Sequence, residues 1–246
     1  MTEQTGRLVR LVKVTKQLLI VASLLAVAST AYAVRTPVAN CYLVPFTSLV
    51  RIAPGVFVDP SLTAAQRSRL LEDIAASRAR ITEFLGRCQA TPTYIAGTTA
   101  TLHRFGNPAA GTAATLVTPF TDFVVLGPTG MNVDVISHET VHTELKARTG
   151  FLRRMRGVPT WFDEGMAMHV DLRSAYGEDV YQKRTSGGRA APRLADIDTP
   201  SKFAVGAHTN YVTARHEFER WYARVGRDGL LRLLAAVRGG SAVPAF

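Results

Sequence analysis

The chain has 246 residues, of which 47% are hydrophobic, and its formal net charge is +10 at pH 7. This length and composition suit a single domain or a domain of two lobes, and they exclude an intrinsically disordered protein. The positive charge favours acidic neighbours such as anionic lipid headgroups or polyanionic envelope polymers. The basic residues are scattered and build no recognition helix, so nucleic acid is not expected as a partner.

Residues 1–34 are predicted to be an export signal. An uncharged apolar run at residues 18–34 follows a flank that carries four basic side chains: Arg7, Arg10, Lys13 and Lys16. The run is near the lower limit of the roughly 17 to 25 residues that a spanning helix needs. It also contains Ala-Tyr-Ala at residues 31–33, a pattern typical of signal peptidase sites. The remaining chain is therefore expected outside the cytoplasm, membrane-anchored if the segment is retained, or secreted or periplasmic after cleavage near Ala33.

The sequence contains two cysteines, Cys41 and Cys88. An even pair that follows an export signal favours one disulfide bond. Two separate buried thiols are the alternative. Neither cysteine has a neighbour at metal-ligand spacing, so neither is expected to bind zinc.

The first elements of the exported part are a linker, a strand and a long helix. Proline and glycine interrupt residues 35–55, which are predicted to be a linker. Residues 56–58 are a short strand candidate. Thr63 and Gln66 have the spacing of a capping box, helical apolar spacing follows them, and Gly86 ends the predicted helix.

A small sheet is predicted next. Three short β-branched or apolar runs, residues 93–95, 115–117 and 123–126, are separated by loops rich in Gly, Ala and Thr. The run at residues 123–126 could be an edge strand along which an extended peptide lies, or an interior strand. His103 lies in one of the loops and is expected to be a surface residue.

The next predicted element is an amphipathic helix that starts at Asn132 or Asp134 and ends near residues 148–150. A basic loop is predicted for residues 151–159.

The C-terminal part is predicted to be mainly helical. A second helix covers about residues 161–170, and residues 172–208 show no period and are predicted to be an irregular excursion. Helical spacing resumes at Asn210, breaks at Gly226 and ends with a short helix over residues 230–237.

The amphipathic helix carries His138, Glu139 and His142 in a His-Glu-x-x-His pattern. On an α-helix, positions i and i+4 are about 40° apart, so the two histidines project from one face and suit a shared zinc ion. Glu139 cannot share that position, but it can reach a water bound to the same metal and act as a general base. The motif predicts metal-assisted hydrolysis.

Residues 138–142, followed by residues 159–167 with a Trp-x-x-Glu-Gly-x-Ala sequence, resemble the gluzincin metallopeptidases of the peptidase MA-like group. The resemblance extends into residues 211–218 and implies a third zinc ligand at Glu164. A catalytic zinc needs three protein ligands, and this requirement also points to Glu164 as the third ligand. Asp163 is the rival ligand, but it points about 100° away on the same helix.

Tyr211 is the first choice for the donor to an oxyanion, because related gluzincins often use a tyrosine or histidine from a later helix. His208 and His216 are second choices. Asp171 is a candidate acceptor for a hydrogen bond from a ligand histidine.

The sequence thus predicts an α+β fold over residues 35–246: an α/β lobe at residues 35–130 and a mainly helical lobe at residues 131–246. A small mixed sheet would pack on the zinc-binding helix. The expected function is zinc-dependent hydrolysis of a peptide or protein substrate. The alternative is a non-catalytic binding module of the cell envelope that keeps zinc for stability. No feature of the sequence indicates an oligomeric state.

Overall fold

The computed structural model describes residue 20, residues 36–106 and residues 111–244. The predicted export segment at residues 1–34, with its cleavage position near Ala33, lies outside the described residues except for residue 20. None of the described helices combines the length and apolar character that crossing a bilayer requires.

The described residues form an α+β fold built on a five-stranded mixed sheet, as expected from the sequence. The strand order is β1-β2-β3-β5-β4, in which the two inner pairings are parallel and the two outer pairings are antiparallel. The strands are β1 (Val50–Ala53), β2 (Val56–Val58), β3 (Thr93–Ala96), β4 (Ala113–Leu116) and β5 (Phe123–Leu126).

Helices cover both faces of the sheet, and further helices pack together in a separate core beside it. They are α1 (Pro37–Tyr42), α2 (Ala64–Leu85), α3 (Thr99–Phe105), α4 (Val133–Thr149), α5 (Phe151–Gly157), α6 (Thr160–Val170), α7 (Glu178–Thr185), α8 (Pro200–Ala204) and α9 (Ala207–Gly239). Short 3-10 turns lie at Val44–Phe46, Ser174–Tyr176 and Leu194–Asp196.

Strand β5 is an interior strand, so the edge-strand alternative for residues 123–126 is wrong. All four of its residues are buried, because Val124 and Leu126 pack on one face of the sheet while Phe123 and Val125 pack on the other. A continuous apolar run is typical of a strand that is covered on both faces. The edge next to the metal-motif helix is β4, whose four residues are only half-buried.

Helix α4 belongs to two cores at once. Val135 and Ile136, in its first turn, join the core between the sheet and α2. Val141 and Leu145, further along, join the helical core that α6 and α9 complete. The metal-motif helix is therefore held on both sides.

The local signals of the long helices are confirmed. Thr63 and Gln66 form the capping box of α2, and Gly86 ends that helix in the left-handed conformation. Gly226 interrupts α9 with φ 62° and ψ −171°, so the two predicted C-terminal helices are separate helical segments.

The short helices were not foreseen. Residues 151–159, predicted to be a loop, contain α5, and the predicted linker at residues 35–55 contains α1 and β1. Residues 172–208 contain α7, α8 and two 3-10 turns, and His103 lies exposed on α3. Helices of five to eight residues depend on tertiary contacts, because they are too short to show a full apolar period or to be stable alone.

Cys41 and Cys88 are separate thiols, so the disulfide prediction is wrong. Cys41 packs with α3 on the face of the sheet that carries Phe123 and Val125, and its Sγ donates to the Phe105 carbonyl at 3.0 Å. Cys88 packs against the helical core instead. Burial raises the pKa of both thiols to about 12, which keeps them protonated and unreactive near neutral pH.

Gly165 allows α6 and α9 to approach closely. A Cβ at this position would lie 2.4 Å from the Ala214 carbonyl oxygen and 2.8 Å from the Phe218 Cβ. The close neighbour of this glycine is thus α9, which carries Tyr211.

Gly165→Ala is expected to lower the free energy of unfolding by about 1 to 3 kcal/mol, because the added methyl forces the two helices apart. Gly239→Ala is the matched control: a Cβ there meets nothing within 4 Å, so its stability should stay equal or rise by up to about 1 kcal/mol. Urea unfolding followed by circular dichroism measures both, and equal stability of the two variants would contradict the close approach.

Candidate metal centre

Helix α4 places the two motif histidines one turn apart on a buried face. Asn132 is its N-cap, since its side chain accepts from the Val135 N–H at 3.1 Å, whereas Asp134 is paired with Arg80. The rings of His138 and His142 lie 5.0 Å apart between centroids, and both residues are buried.

Glu164 on α6 faces both histidines. Its Oε2 lies 3.4 Å from His138 Nε2 and 3.7 Å from His142 Nε2, and one ligand atom from each residue lies within 4.8 Å of the other two. Ligands at zinc-like bond lengths in a tetrahedron are separated by about 3.3 to 3.5 Å. Glu164 Oε2 is buried and has no hydrogen-bond partner among the described residues, so its lone pairs are available. These three residues could hold a metal ion.

Asp163 supports His142 rather than competing with Glu164. Its Oδ1 lies 2.7 Å from His142 Nδ1, and Arg154 on α5 donates to its Oδ2. Burial would raise the pKa of Asp163, but the charges of Arg154 and His142 outweigh burial and lower it. The ionised carboxylate thereby holds the Nδ1–H of His142 and turns Nε2 toward Glu164.

Asp171 takes the corresponding place behind His138. It is fully buried, and Arg173 donates from Nε to its Oδ1 at 2.8 Å and from Nη2 to its Oδ2 at 2.5 Å. These hydrogen bonds lower its pKa against the effect of burial. Its Oδ2 lies 3.6 Å from Nδ1 of His138, the predicted partner. This distance is longer than a hydrogen bond.

The Glu139 side chain contacts the sheet edge. Thr115 on β4 donates its hydroxyl to Glu139 Oε2 at 2.6 Å and also contacts the Glu139 carbonyl at 3.0 Å. The carboxylate of Glu139 is half-buried, so it is oriented but still accessible from the cleft. The sequence contained no signal for this role of Thr115.

Tyr211, on the first half of α9, lines the same cleft. Its ring centroid is 6.2 Å from that of His138. Burial raises the pKa of Tyr211, and the negative charges of Glu164 and Glu139 raise it further, so the phenol keeps its proton.

His208 and His216, the second choices for an oxyanion donor, do not line this cleft. His208 Nε2 bonds the Ala175 carbonyl at 2.8 Å. His216 stacks on Tyr181 and bonds Glu178 at 2.8 Å. Both side chains are thus engaged elsewhere.

The cleft has a volume of about 1020 Å³ and runs between β4 and the C-terminal helices. The ligand residues and Glu139 lie on its floor. Its helical wall is mixed: it includes the apolar Met155, Val158 and Phe203 and the charged Arg173 and Asp198. Such a cleft has room for several residues of an extended chain beside the metal position.

Comparison with known proteins gives no match. No model of a protein family matches the sequence, no curated protein matches it, and no solved structure matches the chain. The function must therefore be inferred from the chemistry of the cleft.

Asp163→Asn is expected to weaken binding of Zn²⁺ or Co²⁺ by about 10-fold to 100-fold, because the amide cannot raise the basicity of His142 as a carboxylate does. Competition with a chromophoric chelator measures the affinity. Asp198→Asn is the control, since Asp198 also lines the cleft but pairs with Lys202 and touches no ligand. Equal affinities in the two variants would exclude the supporting role of Asp163.

Proposed function

We propose that this chain is a zinc-dependent metallopeptidase of the gluzincin type that hydrolyses peptide bonds outside the cytoplasm. The observation that carries the proposal is the position of the Glu139 carboxylate, held by Thr115 in the cleft that also contains the three converging ligand atoms. A purely structural metal site does not require an oriented, accessible carboxylate beside it. The predicted export signal in residues 1–34 supports the location.

The donor set favours zinc in a catalytic role. Two imidazoles and one carboxylate are typical ligands of zinc in hydrolases, and they leave one position for water. When bound, zinc supplies a Lewis acid that lowers the pKa of a water molecule and polarises a carbonyl group.

Glu139 is the proposed general base. Its carboxylate would accept a proton from the attacking water and then deliver that proton to the departing amine. The hydrogen bond from Thr115 fixes the carboxylate by one oxygen, which reduces the reorganisation that proton transfer requires.

Tyr211 is the proposed donor to the oxyanion. A phenol is useful in this role only while it is protonated, and the raised pKa of Tyr211 keeps it so. Its place across the cleft from Glu139, close to His138, is consistent with a donor that approaches the carbonyl oxygen from the side of α9.

The edge strand β4 is the proposed substrate platform, in place of β5. Residues 112–116 line the cleft, and one side of β4 has no strand partner in the described sheet. An extended peptide could pair with these backbone groups by β-augmentation. Thr115 lies in this strand, so the bound peptide would lie directly beside the carboxylate that Thr115 orients.

Glu139→Gln is expected to lower kcat by about 10² to 10⁴ while zinc content stays unchanged, because the amide cannot accept the proton. Cleavage of a quenched fluorescent peptide library and metal analysis of the same samples test this. Glu178→Gln on α7 makes the same chemical change at a side chain that is 54% exposed and outside the cleft, and should keep full activity. Undiminished hydrolysis in Glu139→Gln, or zinc binding with no cleavage by the wild type, would favour the binding-module alternative.

Tyr211→Phe is expected to lower kcat by about 10-fold to 10³-fold with little change in KM, because the lost hydroxyl contacts the transition state more strongly than the substrate. Tyr176→Phe is the control, since Tyr176 lines the same cleft with its ring 5.8 Å from that of Tyr211. A larger loss in the Tyr176 variant would transfer the role to that residue.

A further inference from the structure

Several exposed large apolar side chains lie within residues 38–50, and Phe120 lies near α1 in the loop after β4. Phe46 and Phe120 are 85% and 86% exposed, and they are the most exposed of this class. Three more lie beside them on α1 or directly after it. We call the five residues the apolar face: Val38, Tyr42, Leu43, Phe46 and Phe120. Contiguous exposed patches of this kind mark interaction surfaces.

Contacts place α1 and the loop that carries Phe120 side by side. Val38 and Tyr42 are four residues apart on α1 and so share a helix face. The hydroxyl groups of Tyr42 and Thr118 are hydrogen-bonded at 2.6 Å. Thr118 Oγ1 also accepts from the Phe120 N–H at 3.4 Å, which joins the loop after β4 to α1.

Few negative charges lie around the apolar face: Asp122, which accepts from the Thr118 N–H, is buried and paired with Lys146. The sequence has no Asp or Glu between Glu3 and Asp59, and none in residues 98–121, which contain α3, β4 and the loop with Phe120. Arg51 and Arg104 are exposed on β1 and α3. Charge complementarity therefore favours an anionic partner.

The covalent connection brings this surface close to the apolar segment. The uncharged run ends at residue 34, and α1 begins at Pro37. Three residues span at most about 10 Å, so α1 must start within that distance of the end of the run. If the run lies in a bilayer, α1 therefore lies at the surface of that bilayer.

We propose that the apolar face docks on the surface of an anionic lipid bilayer. Aromatic side chains such as Tyr42, Phe46 and Phe120 suit the boundary between headgroups and acyl chains. Arg51 and Arg104 would meet the phosphate groups. Pro37 and Val38 also line the cleft, so one end of the cleft would open close to the membrane. This inference concerns attachment and does not depend on the proposed hydrolysis.

The test uses the full chain in liposomes that contain phosphatidylglycerol, with Phe46→Trp and Phe120→Trp as reporters. Lipids brominated near the headgroup should quench both reporters and shift their emission to the blue. Leu152→Trp and Val205→Trp, at side chains that are 61% and 78% exposed on other elements, should not be quenched. The native Trp161 and Trp221 are buried and provide a constant background. A circular dichroism spectrum equal to that of the wild type shows that each variant is folded.

Four outcomes would overturn the proposal. The reporters at positions 46 and 120 could remain unquenched, or all four positions could be quenched equally. The face could instead be covered by a second copy, which cross-linking through these positions would reveal together with unchanged emission on adding brominated lipid. Cleavage near Ala33 with release of the protein from the liposomes would show that no retained apolar segment holds α1 at the membrane.

Discussion

The balance of buried charge is the constraint on which the site depends. Four carboxylates surround the two histidines, those of Glu139, Asp163, Glu164 and Asp171, and two arginines pair with two of them. When both imidazoles are neutral, as metal ligands must be, the half-buried carboxylates of Glu139 and Glu164 have no paired cation in the described part of the chain. A divalent cation would neutralise this excess of negative charge. It would also use the lone pairs of Glu164 Oε2, which accept no hydrogen bond from the described residues.

In the same arrangement, each nitrogen of each histidine faces a different side of the site. The Nε2 atoms face Glu164, and the Nδ1 atoms face Asp163 and Asp171, which Arg154 and Arg173 hold from behind. The two supports are unequal, at 2.7 Å and 3.6 Å, so His142 is the more firmly oriented ligand. Helices α5 and α6 and the segment after α6 therefore act together behind the site, although the sequence indicated function only in α6 and at Asp171 after it.

Helix α4 connects this centre to the rest of the fold. Its first turns pack on the sheet, its later turns pack on α6 and α9, and α2 likewise contributes to both cores. The α/β lobe and the helical lobe consequently share helices. The cleft lies where the edge strand β4 and the first half of α9 approach α4 from opposite sides, which brings Thr115 and Tyr211 into one cleft.

The sequence by itself determined the features that arise from local spacing. Histidines four residues apart meet on one helix face, the capping box and Gly86 bound α2, Gly226 breaks α9, and a continuous apolar run becomes the buried strand β5. Only the tertiary structure decided which strand is the edge, that the two cysteines lie apart, and that α5 is a helix. It also decided that Asp163 and Thr115 orient His142 and Glu139, across 21 and 24 residues of sequence. Periodicity reports which face of an element is buried, whereas these contacts depend on how whole elements pack, and no local pattern encodes that.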